Sequence, residues 1–373
     1  MLENSTIHWS ESGTERAARW RSESAVAPPQ RVIIANDEIT ANAVYRLACE
    51  GTAMLWRGDF HNAKQLLQAL ARRVDRKKVK PASSPQDAFN QHRQAQAHRA
   101  HILGMVLIQF EIDYRINLRR APDVTQACAE AFGKASEPFV ASLRELLGAI
   151  GAHEWRKKGI DIPAIGGRIH PHYGVFAPVR AEYVKLVNEA PLPSTTLAFD
   201  IGTGTGVLAA VLARRGVKKI IATDLDQRAL DCANENINHL GFEKQIEILR
   251  VDLFPPGRAA LIVCNPPWVP ARPSSALERA VYDPESAMLR GFLGGLAAHL
   301  HVDGEGWLIL SDLAEHLGLR KRAELLEWIE NASLTVKQRL DIRPNHPRVT
   351  DTSDPLHQAR AAEKTSLWRL VAQ

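Results

Sequence analysis

The residues of this chain that could do chemistry stand at the ends of short apolar runs. The first run ends at Asp200, and glycines follow at alternate positions, Gly202, Gly204 and Gly206. Alternate glycines let a backbone pass close to a ligand, because a Cβ would block the approach or forbid the required dihedral angles. The dinucleotide-binding fingerprint has its third glycine one position later, where Val207 stands, so a pyrophosphate site is the weaker interpretation. A plain glycine-rich turn stays open as an alternative.

Polar side chains also follow three later apolar runs. Asp224 and Leu225 come after the second run, about twenty residues beyond the glycines, where doubly wound folds place a carboxylate on ribose hydroxyls. Asp252 and Leu253 come after the third run, and the fourth ends in the tetrapeptide Asn265-Pro266-Pro267-Trp268. Because parallel strands bring their carboxyl ends to one edge of an open α/β sheet, we expect all four strand ends to lie together and to bind a ligand there.

These motifs resemble those of the class I S-adenosylmethionine-dependent methyltransferases. Asn-Pro-Pro-Trp is similar to the Asn-Pro-Pro-Tyr or Asn-Pro-Pro-Trp signature of the branch that methylates nitrogen. That branch includes adenine N6-methyltransferases, guanine N2-methyltransferases of ribosomal RNA, and HemK-type enzymes that methylate a release-factor glutamine. The loop sequence Asp-Ile-Gly-Thr-Gly-Thr-Gly is closest to the HemK type, and the resemblance extends from about Val175 to Ile309.

The resemblance implies S-adenosylmethionine as the cofactor. The loop after Asp200 would cradle it, Asp224 would hold its ribose, Asp252 and Leu253 would frame its adenine, and Asn265 would hold the substrate nitrogen. The cofactor-binding residues implied in this way are Asp200, Gly202, Thr203, Gly204, Gly206, Asp224, Leu225, Asp252, Leu253 and Asn265.

The tetrapeptide suits nitrogen chemistry. The lone pair of an amide or an exocyclic base amine is delocalised, so it must be turned toward the methyl group. The Asn265 side-chain oxygen and the Pro266 carbonyl can accept the two N–H bonds while positive charge develops. Pro266 and Pro267 fix φ and stiffen the turn, and Trp268 offers a face on which a planar group can stack. These four residues are the candidate catalytic residues, although Asn-Pro-Pro can also be only a turn that ends a strand.

Tyr173, Phe176 and Arg180 are candidate substrate residues. They precede a predicted helix and correspond loosely to the segment that closes over the cofactor in HemK-type enzymes. The Pro-Glu-Thr-Glu run of that family is replaced here by residues 179–182. A helix that merely caps the sheet is the alternative interpretation.

The composition predicts a folded cytoplasmic protein of two domains. A chain of 373 residues is long for one domain. The net charge of +5 permits a nucleic-acid partner without requiring one. Four cysteines without a Cys-x-x-Cys pair indicate reduced thiols. We find neither a targeting segment nor a membrane span in the sequence, and we predict no metal site.

Periodicity predicts the domain layout. Residues 1–30 are polar and read as a flexible tail. Residues 31–160 show apolar residues at spacings of three and four, which predicts a separate α-helical accessory or substrate-recognition domain. Within it, residues 71–80 carry six cations and the single acid Asp75. This run could bind phosphate groups, but we favour the interpretation that it is a solvated helix end. Residues 161–373 should form the methyltransferase domain, an α/β fold with a seven-stranded Rossmann-like sheet. Its stretch Gly159–Gly174 is predicted to be a linker.

Two acceptor classes remain nearly equal at this point. The glycine loop favours a protein glutamine amide, as in a release factor or a ribosomal protein. Trp268 and the basic run favour an exocyclic amine of ribosomal or other RNA or DNA. A small-molecule acceptor and a non-catalytic RNA-binding module are further alternatives. We therefore predict a nitrogen methyltransferase whose partner is a macromolecule.

Overall fold

The computed structural model describes residues 5–76, 81–180, 182–275, 277–345 and 347–373. The chain forms two compact units. Unit 1 comprises residues 1–82 and 90–154, and unit 2 comprises residues 83–89 and 155–373. Every helix in the described ranges is too short or too polar to cross a lipid bilayer.

Unit 1 is an α/β unit built on a six-stranded sheet in the order β1-β2-β6-β5-β4-β3. Its strands are β1 (Thr6–Glu11), β2 (Thr14–Trp20), β3 (Arg31–Ala35), β4 (Thr52–Trp56), β5 (Val106–Phe110) and β6 (Phe139–Ser142). Its helices are α1 (Ala41–Cys49), α2 (Phe60–Asp75) and α4 (Thr125–Phe132), while α3 (Pro85–Gly104) and α5 (Leu143–Lys158) each continue into a segment of unit 2. Strands β3, β4 and β5 are parallel neighbours.

The prediction of an all-helical domain over residues 31–160 is wrong. Strand β4 is buried at every position and β5 at four of its five. A strand buried on both faces reads as a continuous apolar run, so it lacks the alternation by which strands are usually found. The spacing of Leu103, Leu107 and Phe110 is typical of a helix. However, Leu103 lies at the end of α3, while Leu107 and Phe110 lie in β5.

The prediction of a flexible tail over residues 1–30 is also wrong. Strands β1 and β2 pair as an antiparallel hairpin closed by Ser12 and Gly13, both with positive φ. Such a two-residue turn matches the twist of the flanking strands. Ile7 and Trp9 point inward and are buried, so the period of two was present in the sequence.

Unit 2 has a seven-stranded sheet in the order β11-β10-β9-β12-β13-β15-β14. The strands are β9 (Leu197–Ile201), β10 (Lys219–Asp224), β11 (Ile246–Arg250), β12 (Ala259–Cys264), β13 (Leu300–Ser311), β14 (Leu334–Ile342) and β15 (Thr365–Ala372). The first five are parallel, and β15 runs antiparallel to both β13 and β14. The predicted α/β class is thereby confirmed, and the strand order reverses between β9 and β12.

Helices cover both faces of this sheet. They are α6 (Glu182–Glu189), α7 (Val207–Arg214), α8 (Gln227–Leu240), α9 (Ala287–His299), α10 (Leu313–His316), α11 (Arg322–Asn331), α12 (Pro347–Thr350) and α13 (His357–Ala362), with short 3-10 turns at Leu277–Ala280 and Pro284–Ser286. The all-apolar stretch of α7 is buried from Val207 to Ala213 because it packs directly on the sheet. A central parallel sheet between helical layers therefore positions the strand ends.

The stretch predicted to be a linker is instead structured. β7 (Ile160–Ile162) and β8 (Gly167–Ile169) form an antiparallel hairpin. Its isoleucines Ile162, Ile165 and Ile169 are buried in the same apolar cluster as α7. The glycines that suggested a linker make the hairpin turn, where Gly166 has φ +65°.

Candidate active site

The loop between β9 and α7 is held in a conformation that requires glycine. Gly202, Gly204 and Gly206 have φ values of +70°, +57° and +80°. A Cβ at Gly202 would meet Met288 Cε at 2.6 Å, and one at Gly206 would meet the backbone of Ala233 at 3.3 Å. A Cβ at Gly204 would meet nothing within 4 Å among the described residues. Internal packing thus explains two of the glycines, while the open space above Gly204 fits a ligand that lies against the loop.

Asp200 holds this loop from beneath. Its carboxylate accepts hydrogen bonds from Thr203 Oγ1 at 2.7 Å and from the backbone N–H of Ala209 at 3.0 Å. The residue is 1% exposed, and burial raises the pKa of Asp200 to about 6 against the opposing effect of these two bonds. The side chain therefore shapes the loop and carries its charge at neutral pH, and no cation of the described residues is paired with it.

Asp224 connects the second strand end to the glycine loop. Its carboxylate accepts hydrogen bonds from the backbone N–H groups of Gly204 and Asp226, each at 3.0 Å. Burial raises the pKa of Asp224. A carboxylate has about four acceptor positions. Since the backbone amides do not use all of these positions, Asp224 keeps capacity for a further donor.

Two further strand ends border the same space. Leu225 is 56% exposed, which is unusual for an apolar side chain next to a buried strand. Leu253 has φ +57°, and its carbonyl accepts a 2.6 Å hydrogen bond from Thr223 Oγ1, while Asp252 is exposed. This chain therefore offers glycine backbone, carboxylates and exposed apolar surface along one edge, which suits a nucleoside-containing cofactor.

The tetrapeptide follows β12 at the point where the strand order reverses. Cys264 lies opposite Ile201 in the register, so Asn265 stands next to the glycine loop. Asn265 Oδ1 accepts a 2.9 Å hydrogen bond from Trp268 Nε1. Because an indole N–H can only donate, this bond fixes which end of the Asn265 amide is the oxygen. Among the described residues nothing donates to the Pro266 carbonyl, so it remains available as a second acceptor next to Asn265 in the chain.

Arg180, predicted from sequence as a substrate residue, lies over the Trp268 ring with its Cζ 5.0 Å from the ring centroid. Its guanidinium pairs with Glu182 at 2.6 Å and with Glu363 at 3.0 Å. Glu363 is 1% exposed and also accepts from Ser311 Oγ at 2.7 Å. Sequence reasoning missed Glu363, because it lies far along the chain in the segment before β15.

Tyr173 contacts a different part of unit 2 from Arg180. Its ring is 5.8 Å from the Arg228 guanidinium, on the helix that follows Asp224, while Phe176 is half-buried. The segment that carries them is fastened by Asn236, whose side chain accepts from the His170 N–H at 2.7 Å and donates to the Thr205 carbonyl at 3.1 Å. The sequence signal for Asn236 was an amide within the buried apolar stripe of α8.

The long segment between β14 and β15 is folded against the tetrapeptide. It contributes to a buried cluster, here termed the apolar wall, formed by Phe89, Val269, Leu313, Leu317, Leu356 and Ala359. Trp268 packs against this wall and against both other apolar clusters of unit 2. Trp268 therefore contacts both the apolar wall and the Arg180 guanidinium. In that segment, His346 lies outside the described residues.

The described residues contain no group of three or more His, Cys, Asp or Glu side chains that could hold a metal ion. The four cysteines are free thiols.

Known proteins share this part of the chain. A family model described as ribosomal protein L11 methyltransferase (PrmA) matches residues 184–266. A release factor glutamine methyltransferase of Cereibacter sphaeroides is 34% identical over 178 residues, covering 44% of this chain and 63% of that protein. A tRNA1(Val) (adenine(37)-N6)-methyltransferase of Vibrio parahaemolyticus is 37% identical over 95 residues, covering 24% of this chain and 40% of that protein. A ribosomal protein L11 methyltransferase of Clostridium perfringens is 42% identical over 72 residues, or 19% and 23% of the two chains.

The chain thus spans less than two thirds of the length of each of these relatives. The family match begins in α6 and ends within the tetrapeptide, so it contains the glycine loop, Asp224, Asp252 and Asn265. The resemblance to the S-adenosylmethionine-dependent methyltransferases that was predicted from these motifs is confirmed. The roles of the individual residues stay predictions.

Proposed function

We propose that this protein is an S-adenosylmethionine-dependent methyltransferase that transfers a methyl group to a planar amide or amine nitrogen. The observation that carries the proposal is the position of Asn265. It stands beside the glycine loop at the strand-order reversal, with its side-chain oxygen fixed by Trp268. This position supports the proposal, because the loop that would bind the cofactor and the residue that would hold the nitrogen follow neighbouring strands.

The cofactor is S-adenosylmethionine, and this chain's residues would hold it along the carboxyl edge. When bound, it supplies an electrophilic methyl group. The open backbone at Gly204 would lie against it, the Asp224 carboxylate would accept its ribose hydroxyls, and Leu225 would cover its adenine. Asp200 would act one layer below, by fixing the loop through Thr203.

The acceptor nitrogen would be held by the tetrapeptide. Its two N–H bonds would donate to Asn265 Oδ1 and to the Pro266 carbonyl, which directs the lone pair out of the plane of the acceptor group. Both oxygens are fixed before the acceptor arrives, so little reorganisation is needed as positive charge develops on the nitrogen. The Trp268 ring, packed against the apolar wall, would limit where the planar group can lie.

We propose a protein glutamine side chain, of a release factor or ribosomal protein, as the acceptor. The similarity to a release factor glutamine methyltransferase covers 44% of this chain, more than the other matches described above, and supports this assignment. The second candidate is an exocyclic amine of RNA or DNA, such as adenine N6 or guanine N2. It is supported by the similarity to a tRNA adenine N6-methyltransferase and by the indole face at Trp268. Unit 1 would then recognise the macromolecule, and the free thiols agree with a cytoplasmic protein.

The test is incubation of the full chain with methyl-labelled S-adenosylmethionine and a cell extract, followed by digestion. Loss of the labelled product on protease treatment supports the glutamine acceptor, and loss on nuclease treatment supports the base amine. Label that survives both digestions and stays in a small-molecule fraction would contradict both assignments. Absence of any labelled product, with cofactor binding intact, would contradict catalysis itself.

A further inference from the structure

We infer that unit 1 carries a binding site for the phosphodiester backbone of a nucleic acid, where α2 ends beside the start of α1. An open cavity of about 210 Å³ lies there. Its lining is Ala41, Asn42, Ala69, Arg72, Arg73 and Arg76. Three cations and no acid therefore face one space, in a part of the molecule distinct from the candidate active site.

No acidic side chain in the described part of the chain is paired with the three arginines. Arg72, Arg73 and Arg76 are exposed, and among the described residues none of them forms an ion pair or side-chain hydrogen bond. The neighbouring acid, Asp75, is paired with Arg99 at 3.0 Å and does not compensate them. Cations in the last turn of a helix are favourable for its dipole. That effect explains their presence on α2 but not their convergence on a cavity shared with another helix.

The start of α1 supplies a second source of positive potential. Thr40 caps the helix by accepting from the Ala43 N–H at 3.3 Å, and the first turn contains no acidic residue. The N–H groups of Ala41 and Asn42 lie in that first turn, where no helical carbonyl is available to them. The N-terminus of a helix carries a partial positive charge and binds anions. The first turn of α1 and the three arginines line the same cavity, so an anion bound there would experience positive potential from both.

Tyr45 and Arg73 favour a nucleic acid over an acidic peptide. The Arg73 Cζ lies 5.0 Å from the centroid of the half-buried Tyr45 ring, which places an aromatic face and a guanidinium plane beside the cavity. A nucleic-acid base can stack on an aromatic face or on a guanidinium plane, whereas a carboxylate can only pair with the N–H edge of the guanidinium. Arginine donates in a planar fork that matches phosphate oxygens. The other cations of this basic run, Lys77, Lys78 and Lys80, lie outside the described residues.

The experiment measures binding of a fluorescein-labelled 12-nucleotide oligouridylate to the full chain by anisotropy over a range of KCl concentrations. The triple variant R72A/R73A/R76A removes three phosphate contacts. For single strands each contact contributes about 0.7 to the slope of log K against log salt, so the slope should fall by about 2. The single variant R76A should lower it by about 0.7. The matched control R16A/K134A/R144A removes the same charge from exposed positions of unit 1 and should keep most of the slope.

Three results would overturn the site. They are no binding of the oligouridylate by the wild-type chain, equal slopes for the triple variant and its control, and binding of a labelled polyglutamate peptide as tight as that of the oligonucleotide. All variants should bind S-adenosylmethionine like the wild type, because the substitutions lie in unit 1. The site does not depend on the activity proposed for unit 2. If it is confirmed, it favours a base amine as the acceptor.

Discussion

Two buried aspartates, one in each unit, have pKa values that are shifted in opposite directions. Asp59 in unit 1 follows the parallel strand β4, Asp200 in unit 2 lies near the end of the parallel strand β9, and each is 1% exposed. Each also accepts a hydrogen bond from a backbone N–H of the next helix, from His61 and from Ala209 respectively. The hydrogen bond from Arg120, together with that from Arg119, holds the pKa of Asp59 well below its usual range. Burial without a cation raises the pKa of Asp200 to about 6.

The two carboxylates differ in how their charge is compensated. In unit 1 the carboxylate is neutralised by side chains of the same unit, Arg119 at 2.8 Å and Arg120 at 2.7 Å. In unit 2, Asp200 and Asp224 are bonded only to backbone amides and a hydroxyl among the described residues. Uncompensated buried charge is costly to keep, and such groups cluster at functional sites, which agrees with the cofactor-binding role proposed for this edge.

The largest effect is expected at Asn265, the residue of unit 2 that we propose holds the acceptor nitrogen. Asn265→Ala removes one preorganised acceptor, and we expect turnover to fall by a hundredfold to a thousandfold. Asn265→Asp keeps an acceptor and should retain partial activity. Cofactor affinity, measured by calorimetry, should stay near the wild-type value in both variants. Equal turnover of the Ala variant and the wild type on the physiological acceptor would refute the assignment of the tetrapeptide.

The two aspartates should respond to pH with opposite signs. The folded pKa of Asp200, about 6, exceeds the ordinary value of 3.8, so the stabilisation of unit 2 is full below pH 4 and is lost as the pH rises through 6. Two pH units correspond to about 3 kcal/mol. Asp200→Asn should therefore gain stability relative to the wild type by about that amount between pH 4 and pH 7. Urea unfolding across this range measures it, with the unit 2 transition identified by its shift on adding cofactor.

Asp59→Asn is the counterpart in unit 1. Because the pKa of Asp59 is lowered in the fold, its stabilisation is present above pH 4 and disappears only as the pH falls through the folded value. The variant should be less stable than the wild type at neutral pH and equal to it in strong acid. The same sign for both variants would remove the distinction between the two carboxylates.

Asp224→Ala should weaken S-adenosylmethionine binding by about 1.5 to 3 kcal/mol, since the ribose hydroxyls lose a charged acceptor. The control is Asp226→Asn, which keeps the capping bond to the Arg228 N–H that begins α8. Calorimetric titration should show weakened binding for the first variant only. Unchanged affinity of Asp224→Ala would exclude a role for this carboxylate in holding the cofactor.

The smallest effect is expected from Trp268→Phe. The variant keeps an aromatic face but loses the 2.9 Å hydrogen bond to Asn265 Oδ1. A hydrogen bond of this kind is worth about 0.5 to 1.5 kcal/mol, so kcat should fall by up to about tenfold while the cofactor Kd stays constant. Trp328→Phe, on α11 of the same unit, is the control. An equal loss of kcat in both variants would indicate a packing effect alone.

The sequence predicted those parts of the molecule whose signals are local. The glycine loop, Asp224 and the tetrapeptide each follow an apolar strand within a few residues, so their common edge could be inferred from the topology of parallel sheets. Strands such as β4 were not predicted, because a strand buried on both faces lacks the alternation of apolar and polar residues. Glu363 and the apolar wall were not predicted for another reason. Their contacts join residues that are distant in sequence, and no local pattern encodes such contacts.

The small segment Ser83–Phe89 belongs to unit 2, although it lies in the chain between the two parts of unit 1. The two units therefore cannot be separated as consecutive stretches of sequence. Phe89 is 5% exposed and packs in the apolar wall with Leu356 and Ala359, residues more distant from it in sequence than any part of unit 1. No single cut of the chain can therefore release unit 2 whole. A fragment that begins at residue 155 would retain all seven strands and the glycine loop but would lack a side chain of the wall against which Trp268 packs. Evolutionary exchange of the first 154 residues would face the same constraint, because a replacement would have to supply a side chain that fills the position of Phe89 in the apolar wall.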